Sequence, residues 1–136
     1  MQLSRKTAES LGVTDITHPG QNIAAGVQHL KDLYDFYDKA EGKDRLQIAL
    51  AAYNIGLGHI LDARNLARQN NLDPDKWSAL QATLPLLSQR RYHQKARYGY
   101  CSGSEPVDYV RQIMIYYDIL RRRDIRYTDL DPSTDG

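Results

Sequence analysis

Three stretches of the 136-residue chain carry polar side chains that apolar packing does not call for. In Tyr53-Asn54-Ile55-Gly56-Leu57-Gly58 an alanine-rich helical run gives way to an Asn and two glycines, residue types that tolerate the turn at a helix end. An amide fixed on a rigid helix end both donates to and accepts from a ligand, and glycine lets a ligand approach the backbone closely. In Arg90-Arg91-Tyr92-His93-Gln94-Lys95-Ala96-Arg97-Tyr98-Gly99-Tyr100 cations alternate with three tyrosines. That composition suits an anionic polysaccharide or single-stranded nucleic acid, or marks a solvated loop. In Gly103-Ser104-Glu105-Pro106-Val107-Asp108-Tyr109-Val110 a proline opens a helix, and Tyr109 on its first turn is placed to orient an acid in a cleft.

Other reaction chemistry is thinly represented. His18, His29, His59 and His93 show no metal-ligand spacing, no phosphate-binding Gly-rich loop or nucleophile elbow is present, and no cofactor or metal is expected. The glutamates are Glu9, Glu41 and Glu105, and none lies in an apolar run that would raise its pKa for general acid work.

Charge is unevenly spread: residues 86–127 hold nine Lys or Arg against four Asp or Glu, whereas residues 1–85 hold nine against ten. At 41% hydrophobic and 26% charged, with net charge +1, the composition is that of one globular domain. No apolar run approaches the roughly 20 residues of a membrane helix, and no signal-peptide order opens the chain. Cys101, the single cysteine, excludes an intrachain disulfide. Ten tyrosines against one Phe and one Trp favour half-buried positions where a ring packs and a hydroxyl stays polar, as in the wall of a sugar-binding groove.

The elements that position these residues are helices. Ile23, Val27, Leu30, Leu33 and Tyr37 recur at helical spacing after the turn signal His18-Pro19-Gly20, predicting a helix from about 22 to 38. Asp44 with Gln47 forms a capping-box pattern for a helix from about 45 to 54. A short helix through Ile60 and Ala67 is expected to stop before Asn70-Asn71, and Asp73-Pro74 to cap another through Trp77 and Leu80. Val107, Val110, Met114, Tyr117 and Leu120 predict a long amphipathic helix from about 106 to 122, and residues 4–11 a short one. With no period-two run the fold class is all-α, spanning residues 1–127, and the polar residues 128–136 read as a flexible tail.

Taken together, these stretches resemble the catalytic domain of lytic transglycosylases, most closely the C-terminal domain of the membrane-bound F type. The resemblance rests on Met1-Gln2-Leu3 with Arg5-Lys6-Thr7-Ala8, Ala51-Ala52-Tyr53-Asn54-Ile55-Gly56, Leu84-Pro85-Leu86-Leu87-Ser88-Gln89, Arg97-Tyr98-Gly99-Tyr100, and Gly103, Glu105, Tyr109-Val110 with Ile113. It implies a lysozyme-like helical fold acting on peptidoglycan glycan strands in the periplasm or cell envelope. The reaction it implies breaks the β-1,4 bond between N-acetylmuramic acid and N-acetylglucosamine without water, closing a 1,6-anhydro ring. One Glu serves as acid and then base. By the same resemblance Met1, Gln2, Tyr53, Asn54 and Gly56 would bind substrate, and Tyr109 would hydrogen-bond the catalytic Glu.

The family's Glu-Ser pair lies upstream of the Met-Gln motif, so the resemblance places the catalytic Glu before Met1 and none within this chain. Glu9-Ser10 repeats the pair in letters but follows the motif. The expectation is therefore an N-terminally truncated lytic transglycosylase domain, inactive as it stands, with an exposed core that favours self-association. The alternative is a non-catalytic peptidoglycan-binding or interaction module on the same fold. Nucleic acid is set aside as a partner, and no transmembrane segment is expected.

Overall fold

The computed structural model describes residues 19–130, with the side chains of residues 22–123. The described elements are α1 (Pro19–Phe36), α2 (Gly42–Ile55), α3 (Leu57–Gln69), α4 (Trp77–Thr83), a 3-10 helix (Leu84–Ser88), α5 (Arg90–His93) and α6 (Ser104–Leu130). No strand occurs among the described residues, and the all-α expectation holds. The helix expected over residues 4–11, like Met1, Gln2 and Glu9, lies outside the described residues.

α2 is the axis of the fold. Ile48, Ala49, Leu50, Ala51 and Ala52 are all buried, and a helix buried on every side must sit inside a ring of others. Its alanines let neighbours approach closely: α1, α3, α4 and α6 all pack on it. Leu33 of α1 and Tyr37 just after it, Ile60 and Ala63 of α3, Trp77 and Leu80 of α4, Leu84 and Leu87 of the 3-10 helix, and Val107, Val110 and Met114 of α6 complete the core. α1 and α2 form a hairpin in which the Arg45 guanidinium donates to the Tyr34 carbonyl at 2.7 Å and lies 4.0 Å over the Tyr34 ring.

Several boundaries differ from the sequence expectation for local reasons. Pro19 is not a turn before the first helix but its first residue, where the missing N–H costs nothing. Asp44 caps no residue of its own helix. Its carboxylate accepts from the Trp77 backbone N–H at 2.9 Å, capping α4 across 33 residues of sequence, with the Lys76 ammonium 3.8 Å away. Asp73 and Pro74 accordingly form a turn, in which the Asp73 carboxylate accepts from the Asp75 N–H at 2.9 Å, and α4 begins only at Trp77. Asn71, in the left-handed region at φ +59°, ends α3 where the Asn-Asn pair was expected to.

The apolar face expected along α6 is buried only as far as Met114, since Tyr117 is 40% and Leu120 58% exposed. Ile23 and Val27 of α1, part of the apolar repeat that predicts this helix, are 66% and 57% exposed. The α6 helix itself continues through Leu130, so its last turn covers residues expected to begin the tail, and the rest of that tail lies outside the described residues. Gly103 is required by packing: an added Cβ would collide with the Leu84 carbonyl.

Tyr37 is 5% exposed in this core, and burial pushes its phenol up to about 12, the Arg64 guanidinium pulling weakly the other way. In the unfolded chain the phenol ionises near its ordinary value of 10.0. Stability should therefore hold below pH 10 and fall between about 10 and 12, by roughly 2–3 kcal/mol for a shift of this size. Urea unfolding across that range, with Tyr37→Phe removing most of the slope, checks the assignment. An unchanged slope in the variant would refute it.

Candidate functional site

The end of α2 is set by one residue. Helical geometry continues through Ile55, and Gly56, at φ +93° and ψ 158°, makes the break alone, its N–H closing on the Ala52 carbonyl at 2.7 Å. Asn54 is thus the penultimate helical residue, exposed, with its amide held on a rigid helix end. Gly58, expected to help turn the chain, instead belongs to the first turn of α3.

Tyr53 points from this helix end toward α1 and α6. Its ring lies 5.4 Å from the His29 imidazole of α1, tilted by 43°. Burial raises the Tyr53 phenol above its ordinary value, and the Tyr109 phenol of α6 adds to that rise. Tyr109 is half-buried and is raised by burial in turn. The Tyr53 hydroxyl oxygen is buried and has no hydrogen-bond partner among the described residues. A buried polar group left unpaired costs about 1–3 kcal/mol, so this hydroxyl is one that a water or a ligand group would satisfy.

Tyr53 thus faces His29 of α1 and lies within electrostatic reach of Tyr109 of α6, while Asn54 and Gly56 beside it in the chain are exposed; Met1 and Gln2 lie outside the described residues. Both phenols remain neutral at ordinary pH and serve as hydrogen-bond donors and acceptors. No carboxylate among the described residues shifts either of them. Glu41 and Glu105 are exposed, and Glu105, one helical turn before Tyr109, bears instead on the buried Cys101 thiol. Burial, Glu105 and Asp62 together push that thiol up, which leaves it unreactive. No group of three metal-ligating side chains occurs among the described residues.

Beyond Gly56 the chain builds a second feature that sequence reasoning missed. Phe36 at the end of α1 and Tyr37 after it, Leu57, Leu61 and Arg64 of α3, and Tyr98 line a cavity of about 350 Å³. Asp62, 4% exposed, accepts backbone N–H bonds from Arg97 at 3.1 Å and from Tyr98 at 2.9 Å, tying the loop to α3. The Tyr98 ring then lies so close over Gly58 that an added Cβ would be 2.6 Å from it. Across the cavity the Arg64 guanidinium binds Asp75 at 2.9 Å, while its Nη1 is buried and unpaired. Aromatic rings beside charged donors and acceptors suit a sugar, whose CH face stacks and whose hydroxyls hydrogen-bond. The loop tyrosine is 36 residues from the helix aspartate and farther still from the helix glycine, so only the fold reveals the set.

A family model described as Transglycosylase SLT domain matches residues 1–77, more than half of the chain. The chain belongs to this family. The all-α architecture is accordingly the lysozyme-like fold of a lytic transglycosylase domain, as the resemblance implied. The chain is 47% identical over 124 residues to the membrane-bound lytic murein transglycosylase F of Desulfosudis oleivorans, covering 90% of this chain and 27% of that protein. It is 46% identical over 123 residues to membrane-bound lytic murein transglycosylase F 2 of Alkalilimnicola ehrlichii, with the same coverage of 90% and 27%. It is 46% identical over 126 residues to the F-type protein of Maricaulis maris, covering 92% and 28%. The chain thus spans about a quarter of the length of these curated relatives.

The Asp62 clamp in this transglycosylase domain is testable by Asp62→Asn, which leaves one loop N–H facing an amide NH2. Urea unfolding should show a loss of about 1–3 kcal/mol, with faster hydrogen exchange at the Arg97 and Tyr98 amides. Wild-type protection of both amides would contradict the clamp.

Proposed function

We propose that this domain binds peptidoglycan glycan strands at the end of α2 and supplies the substrate-binding side of lytic transglycosylase action. The carrying observation is the buried, unpartnered Tyr53 hydroxyl, set beside Tyr109 and next to the exposed Asn54. A glycan N-acetyl or hydroxyl group reaching that oxygen would satisfy it, and Asn54 would hold a neighbouring sugar through its amide. The aromatic cavity at Tyr98 begins directly after Gly56, at Leu57, and offers a platform for a further sugar ring. The names of the relatives, membrane-bound lytic murein transglycosylases, support murein as the substrate and the periplasm or envelope as the location. No helix among the described residues is long and apolar enough to cross a membrane.

Cleavage of the muramyl bond without water needs a protonated carboxylic acid at the glycosidic oxygen, which then removes the proton from the 6-hydroxyl that closes the anhydro ring. Tyr109 would hydrogen-bond such an acid. Glu41 and Glu105 are exposed and lack the apolar surroundings that keep an acid protonated at neutral pH. These 136 residues are therefore proposed to hold glycan without cleaving it, which makes a binding module the second reading on the same fold. The exposed Ile23 and Val27 of α1 and Ile115, Tyr116, Ile119 and Leu120 of α6 favour self-association through an apolar surface. A concentration-independent monomer in sedimentation velocity would refute that last point.

Partition onto insoluble peptidoglycan tests the groove. The chain should be retained, Asn54→Ala should weaken retention about three- to tenfold, as expected for one or two lost hydrogen bonds, and no 1,6-anhydro-muropeptide should be released. Equal retention of the variant would remove Asn54 from the groove, and release at enzymatic rates would overturn the inactivity.

A further inference from the structure

The basic-aromatic stretch that the glycan groove leaves unused builds a cavity of its own. Arg91, Lys95 and Arg97 line one side of a space of about 560 Å³, and Asn65, Gln69 and Asn70 at the end of α3 line the other. Asp62 is the one carboxylate in its wall, and both of its oxygens are taken by the Arg97 and Tyr98 backbone N–H groups. None of the three cations forms an ion pair with a carboxylate among the described residues. The C-terminal dipole of α3 opposes an anion here with about half a charge, which three full cations outweigh.

We propose that this cavity binds a short acidic peptide, its carboxylates held by Arg91, Lys95 and Arg97 and its backbone by the α3 amides. Asn65 uses its oxygen to accept from Arg68 at 2.9 Å, which leaves its NH2 without a bond among the described residues, whereas Asn70 donates its NH2 to the Leu66 carbonyl at 2.8 Å, which leaves its oxygen so, and both residues line the cavity. A peptide group needs one acceptor and one donor opposite it, and a phosphate has no N–H to use the second. Tyr92, the tyrosine in this wall, is half-buried with the Arg91 guanidinium 4.7 Å from its ring centre, so one of the faces on which a nucleobase would stack is already taken. The cavity uses the Asp62, Asn65 and Gln69 face of α3, while the Tyr98 cavity uses the Leu57, Leu61 and Arg64 face. The assignment of the peptide as the peptide part of peptidoglycan rests on the glycan-binding reading. The two sides of α3 would then hold the two chemical components of one wall polymer.

Calorimetric titration of the 136-residue chain with the tripeptide Ala-Glu-Glu tests this, with Ala-Gln-Gln, inorganic phosphate and a thymidine oligonucleotide as comparison probes. The acidic tripeptide should bind, Ala-Gln-Gln about tenfold or more weakly, and the triple variant Arg91→Ala, Lys95→Ala, Arg97→Ala should lose about tenfold, as charge-assisted bonds are removed. These side chains are exposed, and a circular dichroism melt confirms the fold; should the triple variant melt early, Lys95→Gln alone should weaken binding about threefold with a shallower salt dependence. Equal binding of Ala-Gln-Gln, unchanged affinity in the variants, or displacement of the peptide by lower concentrations of phosphate or oligonucleotide would overturn the proposal. Asn54→Ala should leave peptide affinity untouched. Peptide binding without glycan retention would refute the Tyr53 groove alone, and glycan retention without peptide binding would refute this cavity alone.

Discussion

The two hydrogen bonds from loop backbone to the Asp62 carboxylate govern the functional surface of this domain. Asp62 is the one buried charged side chain among the described residues, and a buried charge is tolerable only when its oxygens are satisfied. Here the Arg97 and Tyr98 N–H groups do so, pinning the loop to α3 at a single point. From that point consecutive side chains diverge: Tyr98 lies over Gly58 toward one cavity, and Arg97 lines the other. A helix that separates two cavities thus also fixes the loop that closes both.

The second constraint is the crowding around α2. Five consecutive buried residues leave this helix no freedom to shift, and a single left-handed Gly56 ends it sharply. Tyr53 and Asn54 are therefore presented with little conformational entropy left to lose, which is the property a binding site needs. The long-range Asp44 cap on Trp77 serves the same rigidity from the other end, joining the first turn of α2 to the start of α4.

Much of this was legible in the chain. Helical spacing of Leu33, Tyr37, Val107, Val110 and Met114 located α1 and α6 and their inward faces, and Asn70-Asn71 marked the end of α3. The resemblance singled out Tyr53 and Tyr109 on separate helices, and in the fold the two phenols lie close enough for Tyr109 to add to the rise of Tyr53. Other features were not legible, because their partners lie far apart in sequence. Asp44 looked like a local cap since capping patterns are read within four residues, and its real partner is 33 away. Asp62 carries no local signal, because the backbone groups that bind it lie 35 and 36 residues away. Gly58 read as a turn residue because glycine signals both turns and close packing, and only the position of the Tyr98 ring separates the two. Ile23, Val27 and Leu120 followed the helical period yet are exposed, since periodicity marks an apolar face without saying what covers it.

The central claim is that the Tyr53 hydroxyl is left unpaired in the fold so that a glycan can pair with it. Tyr53→Phe, with stability measured by urea unfolding and affinity by titration of an N-acetylglucosamine oligomer, tests it in one comparison. Removal of an unpartnered buried hydroxyl should leave stability unchanged or raise it by up to about 1 kcal/mol, while glycan affinity falls about three- to tenfold. A variant that loses more than about 1 kcal/mol of stability and binds the oligomer as the parent does would show the hydroxyl to be structural, and would contradict the account.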